Sequence, residues 1–525
     1  MRYRIIALMI AGALAALSAS AQNLNPQVQV TNDYKARMGL QGKQGVELEI
    51  PDSLRNFRSS VDYNVLATPY KGAYEFSPYE IAVAPQKSAS GFSQFFLRAG
   101  LGYSLRPVVT AVYTPLHTER HSLSVYQDLG GYVGNYRTMD GQGGFRGYDF
   151  LENAGIDGRL HTNDFSFTYG LDYKGIFTDD RNTSNAFNDI TLRGGIRSDD
   201  DARIVFAADL ALNEAFDSQL NQTGIRAKGY FKPVWSLPFD IRVDASLDAA
   251  FYSDVYDPTF VALISPKALF EWDFVKLEAG VALSPASDIQ WLFPDARLTA
   301  DFADQSLQLY AFVKGGQFAN TFADLKLADH WFNTAYTDKL GASLERLNAG
   351  LGARGSLAGS VQYDLRGGYA AYSDVPLNTL TGSVNFMDYA LVYDDYGTWY
   401  ADLDLAWKTP LWDADATLRY RYTDIELDGK GILDLPRFAA NAHLRRNWNS
   451  RIYAGLRCEF QSRRDSATFP VDGFVNVGLE GEYKLNSYLG VWTKLGNLLN
   501  QKIALSPLHI EDGIFFSAGI CLNLR

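Results

Sequence analysis

The chain has 525 residues, in which 48 Lys and Arg stand against 60 Asp and Glu, so its formal net charge is −12. Hydrophobic residues make up 47% of the chain and Cys occurs only twice, which excludes a disordered chain and a disulfide-built scaffold. The acidic balance without a basic cluster excludes a nucleic-acid partner, and the lack of any run of about eighteen apolar residues after residue 20 excludes a helical membrane protein.

The first predicted element is a secretory signal peptide over residues 1–21. Two arginines precede the apolar stretch from Ile5 to Leu17, and the small residues Ala19-Ser20-Ala21 follow it. Charged, apolar and small residues in this order are typical of a signal peptide, and the apolar stretch is too short to span a bilayer. We therefore expect export, with cleavage before Gln22.

Residues 22–90 are predicted to form a short N-terminal extension with little regular structure. They contain five prolines, which disfavour long strands, and a Tyr-rich stretch made of Tyr63, Tyr70, Tyr74 and Tyr79. The extension lies in the periplasm or inserts into the lumen of the barrel described next. It is either a flexible leader or a packed segment, and its apolar and aromatic content favours the packed alternative.

The remaining chain alternates between apolar and polar residues with a period of two. Between Phe239 and Phe251 every odd-numbered residue is apolar, whereas the even-numbered residues are mostly charged. Successive residues of a strand face opposite sides, so the pattern predicts strands with one apolar and one charged face. The same alternation occurs in Leu307–Lys314, Asp402–Lys408 and Asp413–Tyr422.

A soluble antiparallel sandwich also alternates, but two observations favour a transmembrane barrel. The polar face carries Asp, Glu, Arg and Lys, as a water-filled lumen requires. Trp399 and Trp407 lie on one face, separated by about 26 Å along the strand at roughly 3.3 Å per residue. Strand tilt shortens this separation to about 20 Å along the membrane normal, near the height of the apolar band of an outer-membrane barrel. The expected fold class is all-β, a transmembrane antiparallel β-barrel.

Short polar turns set the expected number of strands. They fall near Thr118, Thr162, Asp200, Leu237, Asp273, Ala303, Ala358, Pro410, Asn449 and Ser487. Ten turns at the end that carries the termini imply eleven hairpins, and hence a barrel of about 22 strands over residues 91–525. The first strand is predicted to begin near Phe92 and the last to cover Ile514–Leu524. Gln317–Gly341 and Asp374–Gly397 are predicted to be large extracellular loops.

The charged face of the strands supplies the candidate functional residues, which are predicted to line the lumen. They are Asp240, Arg242, Asp244, Asp248, Arg297, Asp402, Asp404, Arg419, Arg421, Glu480 and Glu482. Two interpretations stay open. These charges neutralise one another across a wet interior, or they form a polar conduit or a docking surface for an inserted segment. Because both signs are present, the sequence indicates no preference for anions or cations.

No arrangement of residues predicts catalysis, a cofactor or a bound metal, and we do not expect an enzyme. Among the six histidines only His117 and His121 have a spacing that places them on one face of a strand. Asp329-His330 falls in a predicted loop, where the expected state is a solvated surface pair. Cys458 is predicted to face lipid and Cys521 the lumen, which disfavours a disulfide between them.

The end of the chain resembles that of TonB-dependent receptors of the outer membrane. Gly496-Asn497-Leu498-Leu499-Asn500-Gln501-Lys502-Ile503 is similar to the Asn-Leu-hydrophobic-Asn-x-x-Tyr segment before the last strand of these receptors, with Ile503 in place of the Tyr. Residues 514–520 are similar to their closing strand. Residues 22–90 are about half of what a receptor plug domain needs, so the resemblance is to a plug-reduced receptor. The Tyr-rich extension followed by a barrel resembles small receptor-like proteins of the Bacteroidota.

The resemblance implies transport or permeation of a solute across the cell outer membrane, by a receptor-like or porin-like barrel. The alternative is a non-conducting structural or assembly barrel that docks envelope partner proteins. Either function implies contact with outer-membrane lipid, and with the barrel-assembly machinery during insertion. Envelope lipoproteins or a TonB-type coupling protein are the further partners that the resemblance implies.

Overall fold

The computed structural model describes residues 94–524, with gaps at 119, 138–143, 180–183, 200–203, 235–237, 254–255, 303–305, 335–336, 338, 358, 384–385, 425–435, 465–470, 507 and 512. The signal peptide predicted over 1–21 and the extension predicted over 22–90 lie outside the described residues. No helix within the described part of the chain is long and apolar enough to cross a membrane.

Antiparallel strands joined in chain order make up nearly all of the described chain. Each strand from β1 to β20 pairs with its successor, and β24 pairs with both β21 and β1, which closes the barrel. Since β22 and β23 form a separate hairpin, the wall has 22 strands, and the predicted all-β barrel is confirmed. The elements are β1 (Phe95–Tyr103), β2 (Val108–His117), β3 (His121–Arg137), β4 (Gly144–His161), β5 (Phe165–Asp179), β6 (Ser184–Ser198), β7 (Ile204–Phe216), β8 (Asn221–Pro233), β9 (Asp240–Tyr252), β10 (Thr259–Trp272), β11 (Val275–Leu283), β12 (Leu292–Phe302), β13 (Leu307–Asn320), α1 (Phe322–Ala328), β14 (Gly341–Leu357), β15 (Val361–Ser383), β16 (Phe386–Lys408), β17 (Trp412–Asp424), β18 (Phe438–Trp448), β19 (Ile452–Gln461), β20 (Phe474–Lys484), β21 (Leu489–Gly496), β22 (Ile503–Ser506), β23 (His509–Glu511) and β24 (Phe515–Leu524).

The two faces of the wall differ in polarity. On β16, Trp399 and Leu405 are exposed on the outer face, whereas the intervening Asp402 is only 2% exposed and faces inward. Large exposed apolar side chains occur on the outer face of most of the strands. A closed antiparallel sheet pairs its backbone groups internally, and an apolar exterior suits contact with lipid. The barrel therefore spans a membrane.

Six of the ten predicted turns are confirmed, and they lie at one end of the barrel, named here the turn end; they are those at Thr118, Thr162, Asp273, Pro410, Asn449 and Ser487. The turns predicted near Asp200, Leu237, Ala303 and Ala358 fall on residues outside the described ranges. In the turn after β2 the backbone N–H of Thr118 donates to the carbonyl of His121, and the His121 N–H donates to Thr118 Oγ1. The turns at Thr162 and Thr409 repeat this pattern of two hydrogen bonds. In the turn after β18, Asn449 has a φ of 53°, a left-handed conformation that Asn tolerates.

The opposite end, named here the loop end, carries the longer connections. One predicted loop is close to the connection from residue 321 to residue 340, named the crossing loop, which contains α1. The loop predicted over Asp374–Gly397 is wrong, because β15 and β16 continue through it as a long hairpin. Its apolar residues Val375 and Leu377 pack with Tyr396 into a buried cluster, so the segment is held as paired strands.

Candidate functional site

The charged residues that the sequence singled out on β9 pair with basic residues of the adjacent strands β8 and β10 or of β9 itself. All of them occupy alternate positions, so they share the inward face. The nitrogen–oxygen distances are 2.6 Å for Lys232–Asp240, 2.7 Å for Arg242–Asp244, 3.2 Å for Lys267–Asp244 and 3.1 Å for Arg226–Asp248.

A denser network lies on the inward face of β15, β16 and β17. Asp402 Oδ2 is 3.0 Å from Arg366 Nε, and Asp402 Oδ1 is 2.5 Å from Arg421 Nη1. Arg419 Nε is 3.8 Å from the same Oδ1, and Arg419 Nη2 also contacts Asp404 at 2.7 Å. Three guanidinium groups thus surround one buried carboxylate, which compensates its desolvation.

The last strands carry a third group of charges. Glu480 contacts His443 Nε2 at 2.9 Å and Arg457 Nε at 3.1 Å, and Glu482 contacts Arg445 at 3.3 Å. Both carboxylates lie on β20; Arg457 lies on the adjacent β19, whereas His443 and Arg445 lie on β18, one strand further away.

Of the eleven predicted residues, the structure brings Asp402, Asp404, Arg419 and Arg421 into one network and leaves the others in separate groups. The guanidinium carbon of Arg297 lies 4.8 Å from the ring centroid of Tyr310. A function for these residues in lining a conduit stays a prediction. The partners of the predicted residues on other strands could not be predicted from the sequence, because only the strand register shows which residues meet.

The crossing loop begins with a well-capped helix that is attached to the wall. Thr321 Oγ1 accepts a hydrogen bond from the Asp324 N–H at 3.2 Å and donates one to Asp324 Oδ2 at 2.7 Å. The sequence signal for this cap is Thr-x-x-Asp before apolar residues. Asp324 also forms an ion pair with Arg226 of β8, so the carboxylate that orients the capping hydroxyl of Thr321 also holds α1 against the wall.

Two buried ion pairs fix the rest of the crossing loop to distant strands. Lys326 Nζ lies 3.8 Å from Asp217 Oδ2 in the connection after β7. His330 Nδ1 lies 3.1 Å from Asp149 Oδ2 on the inward face of β4. Because β4 lies nine strands away from β13, where the loop starts, the loop must cross the barrel interior to make this contact. We call these two pairs the latch.

Apolar packing supports the latch. Phe322 of α1 meets Phe187 of β6 edge to face, with 5.4 Å between the ring centroids. The buried cluster around them joins the crossing loop to β5, β6, β7 and β16 through Ile176, Phe187, Ala215, Leu220, Phe322, Ala323, Phe332, Leu340 and Leu391. A loop packed in this way is part of the folded structure at the loop end.

Burial changes the ionisation of Lys326, Asp329 and His330 in the crossing loop. It raises the pKa of Asp329 and lowers the pKa of Lys326, which nearby Asp217 offsets only in part. Burial also lowers the pKa of His330, but the carboxylates of Asp149 and Asp329 outweigh that effect and leave it above its usual value. The arrangement therefore favours the imidazolium form of His330.

The connection from β21 to β24 supplies a second inward contact at the loop end. Its hairpin β22–β23 pairs with the end of β3, through Ile510 opposite Arg137 and Glu511 opposite Tyr136. Arg106 Nη2, in the connection after β1, lies 2.5 Å from Glu511 Oε2. These contacts attach the hairpin to β3 and to the connection between β1 and β2.

The hairpin and the crossing loop meet through aromatic rings. His509 of β23 is fully buried and stacks on Trp331, with 3.5 Å between ring centroids and 12° between planes. Tyr136 of β3 meets both rings edge to face. The two connections thus contact each other at the loop end of the barrel.

The predictions for the histidines and the two cysteines can be compared with the structure. The expected solvated pair Asp329-His330 is wrong, since both side chains are buried where the loop packs on β4. His121 contacts the Tyr169 hydroxyl at 2.7 Å on the exposed surface. Within the described ranges no group of three or more His, Cys, Asp or Glu is placed to hold a metal. Cys458 and Cys521 are both free thiols.

No protein-family model matches the chain. No curated protein matches it either. Among solved structures, the FrpB iron transporter from Neisseria meningitidis in its apoprotein form is similar, with a TM-score of 0.61, 9% identity and coverage of 82% of this chain and 80% of that one. A mutant ferric enterobactin receptor PfeA from Pseudomonas aeruginosa, in complex with enterobactin, has a TM-score of 0.58, 12% identity and coverage of 82% of both chains. The copper transporter OprC has a TM-score of 0.56, 13% identity and coverage of 82% and 80%. At these identities the likeness shows a shared barrel fold.

Proposed function

We propose that this chain is an outer-membrane barrel, similar to a TonB-dependent receptor, that mediates gated passage of a solute. The observation that carries the proposal is the crossing loop, which spans the interior of a wide barrel with a charged inner wall. The names of the three similar structures describe transporters of iron and copper and a receptor for ferric enterobactin, which supports a transported solute. The turn end then faces the periplasm and the loop end the exterior.

The mechanism that we propose is displacement of the crossing loop. In the closed state, ion pairs connect the loop to β8, to the connection after β7 and to β4. A solute that contacts the loop end shifts the population towards an open state only by binding that state more tightly. The solute then passes along the paired charges of the inner wall, where hydrogen-bonding groups replace part of its hydration shell.

Residues 22–90 and several partner proteins also have parts in the proposed function. We propose a plug-reduced receptor of the Bacteroidota type, in which the extension restricts the lumen from below. A TonB-type coupling protein is the proposed partner if passage consumes energy. The barrel-assembly machinery is the proposed partner during insertion, and envelope lipoproteins are proposed partners of the folded barrel.

One observation favours the alternative function, a non-conducting barrel that docks envelope proteins. The crossing loop and the β22–β23 hairpin are tightly packed at the loop end, with His509 and Phe322 fully buried. A permanent seal of this kind suits a scaffold as well as a gate. The two functions differ in whether the lumen opens when the seal is removed.

Single-channel conductance in planar bilayers separates the two functions. Four proteins are compared: the mature chain, a chain without residues 22–90, a chain with residues 322–334 replaced by a short Gly-Ser linker, and a chain with both changes. Resistance of the unheated barrel to unfolding on a gel verifies each fold. We expect the mature chain to be closed and the doubly changed chain to conduct, because the loop seals one end and the extension restricts the other. Silence of all four folded proteins would contradict transport and favour the scaffold.

A further inference from the structure

A basic residue lies between two tryptophans on the outer face of the barrel, near the turn end. Trp412 is the first residue of β17 and pairs directly with Arg446 of β18. The guanidinium carbon of Arg446 is 5.0 Å from the ring centroid of Trp412 and 4.8 Å from that of Trp448, the last residue of β18. Trp407 stacks on Trp412 with 6.1 Å between centroids, which supports one of the two indoles that contact Arg446.

Strand alternation shows that this cation faces outward. Arg445 is on the inward face, where it contacts Glu482 at 3.3 Å. Arg446 therefore lies on the opposite face, together with the exposed Leu444 and with Trp448, which is 39% exposed. The site lies next to lipid.

Arg446 has no acidic partner among the described residues. Its recorded contacts within that part of the chain are the two indole rings, and its Nε is buried without a hydrogen-bond partner. A cation on the lipid-facing side is costly unless an anion compensates it. The indoles fix the direction of the guanidinium and leave its N–H groups to a ligand from the membrane.

The height of the site indicates which group of a lipid it meets. Trp448 ends β18, and the turn that follows it lies at the edge of the membrane, where Trp side chains are enriched and phosphate groups are located. A guanidinium binds phosphate oxygens through two parallel hydrogen bonds. We propose that Arg446, held between Trp412 and Trp448, binds the phosphate of a phospholipid in the leaflet at the turn end.

Native mass spectrometry of the full mature chain with bound lipid tests this proposal. The probe is phosphatidylglycerol, and diacylglycerol, which lacks the phosphate, is the lipid control. We expect Arg446→Gln to weaken retention of phosphatidylglycerol about fivefold, the size expected for one basic residue at an anionic membrane surface. Arg446→Lys retains a point charge without the planar fork, and its retention should lie between wild type and Arg446→Gln.

Arg451, an exposed residue in the adjacent turn, provides the matched control. Arg451→Gln removes the same charge at nearly the same height, and we expect retention within twofold of wild type. Equal losses for both variants would overturn the proposal in favour of general surface charge. Equal retention of phosphatidylglycerol by wild type and a folded Arg446→Gln would also overturn it. Displacement of the lipid by millimolar inorganic phosphate would reduce the site to one for free anions.

Discussion

The network around Asp402 and the latch of the crossing loop both contain buried charges, but they connect different parts of the molecule. Asp402 meets Arg366 and Arg419 on the two strands that are hydrogen-bonded to its own. His330 meets Asp149 across the interior, nine strands away from the start of its loop. The first network holds together neighbours that backbone hydrogen bonds already join. The latch, together with the Arg226–Asp324 ion pair and the packing of Phe322, determines where the loop lies.

This difference separates stability from gating. A wall charge contributes to the folding of the whole barrel, because removing it leaves its partners buried and unpaired. A latch charge contributes to a local equilibrium between a seated and a displaced loop, while the wall remains intact. Substitutions in the two regions should therefore affect different measurements.

The largest expected effect is on the unfolding free energy of the barrel. Asp402→Ala leaves three guanidinium groups without their shared carboxylate, and we expect a loss of about 3–5 kcal/mol. Urea unfolding in detergent micelles, followed by tryptophan fluorescence, measures it. Asp240→Ala is the control, because Asp240 is half-exposed and pairs with the single cation Lys232 among the described residues, and we expect a loss of about 1 kcal/mol or less. Equal losses for the two variants would mean that the three-guanidinium network contributes no more to the unfolding free energy than the Lys232–Asp240 pair does.

A smaller free-energy change is expected when a latch residue is substituted. His330→Leu leaves Asp149 buried without its partner, which should destabilise the seated loop by about 1–3 kcal/mol. The measurement uses Ser246→Cys, on the inward face of β9, in a chain from which both native cysteines are removed. An impermeant maleimide is added at the loop end, and its rate of reaction with this thiol is measured. The variant should label faster, with the unfolding free energy of the barrel nearly unchanged. His443→Leu removes a wall histidine and should leave the labelling rate unchanged, so faster labelling of that control would remove the distinction between wall and latch.

The same labelling assay gives a pH dependence of known sign. The pKa of His330 is raised in the seated loop, so its contribution to closure is complete below about 6.5, its value in water, and is lost as pH rises through the higher value. The raised pKa of Asp329 acts in the same direction, whereas the lowered pKa of Lys326 opposes it at alkaline pH. Because maleimide reacts with the thiolate, each rate is divided by that of Ser246→Cys in the chain whose residues 322–334 are replaced by the Gly-Ser linker. This ratio should rise with pH, and His330→Leu should flatten its profile. A steep profile that persists in His330→Leu would assign the pH dependence to another group.

The barrel could be predicted from sequence because its signals are local. Alternation over Phe239–Phe251 indicates which face meets lipid, and turns such as those at Thr118 and Asn449 are specified by the residues within them. The hairpin over Asp374–Gly397 was predicted as a loop because the turns at Ala358 and Pro410 are far apart in the sequence, and turn spacing does not reveal that β15 and β16 continue through the interval.

The site could be predicted only in part. The inward charges follow from alternation, but their partners depend on register, which a single strand does not reveal. The latch depends on contacts between residues far apart in sequence, such as His330 and Asp149, 181 residues apart. Only the Thr321-x-x-Asp324 cap of α1 is a local signal in the crossing loop. The position of the crossing loop across the lumen depends on the packing of Phe322 and on the buried ion pairs.

The central claim is that the crossing loop spans the lumen and reaches β4. Cross-linking tests it most directly, with His330→Cys and Asp149→Cys combined in a background without Cys458 and Cys521 and treated with a short bifunctional maleimide. We expect a cross-linked product with altered gel mobility after heating. The matched pair His330→Cys with Glu459→Cys, on the inward face of β19, should give none. Failure of the first pair to cross-link in a folded barrel, or equal cross-linking of both pairs, would contradict a loop fixed across the interior.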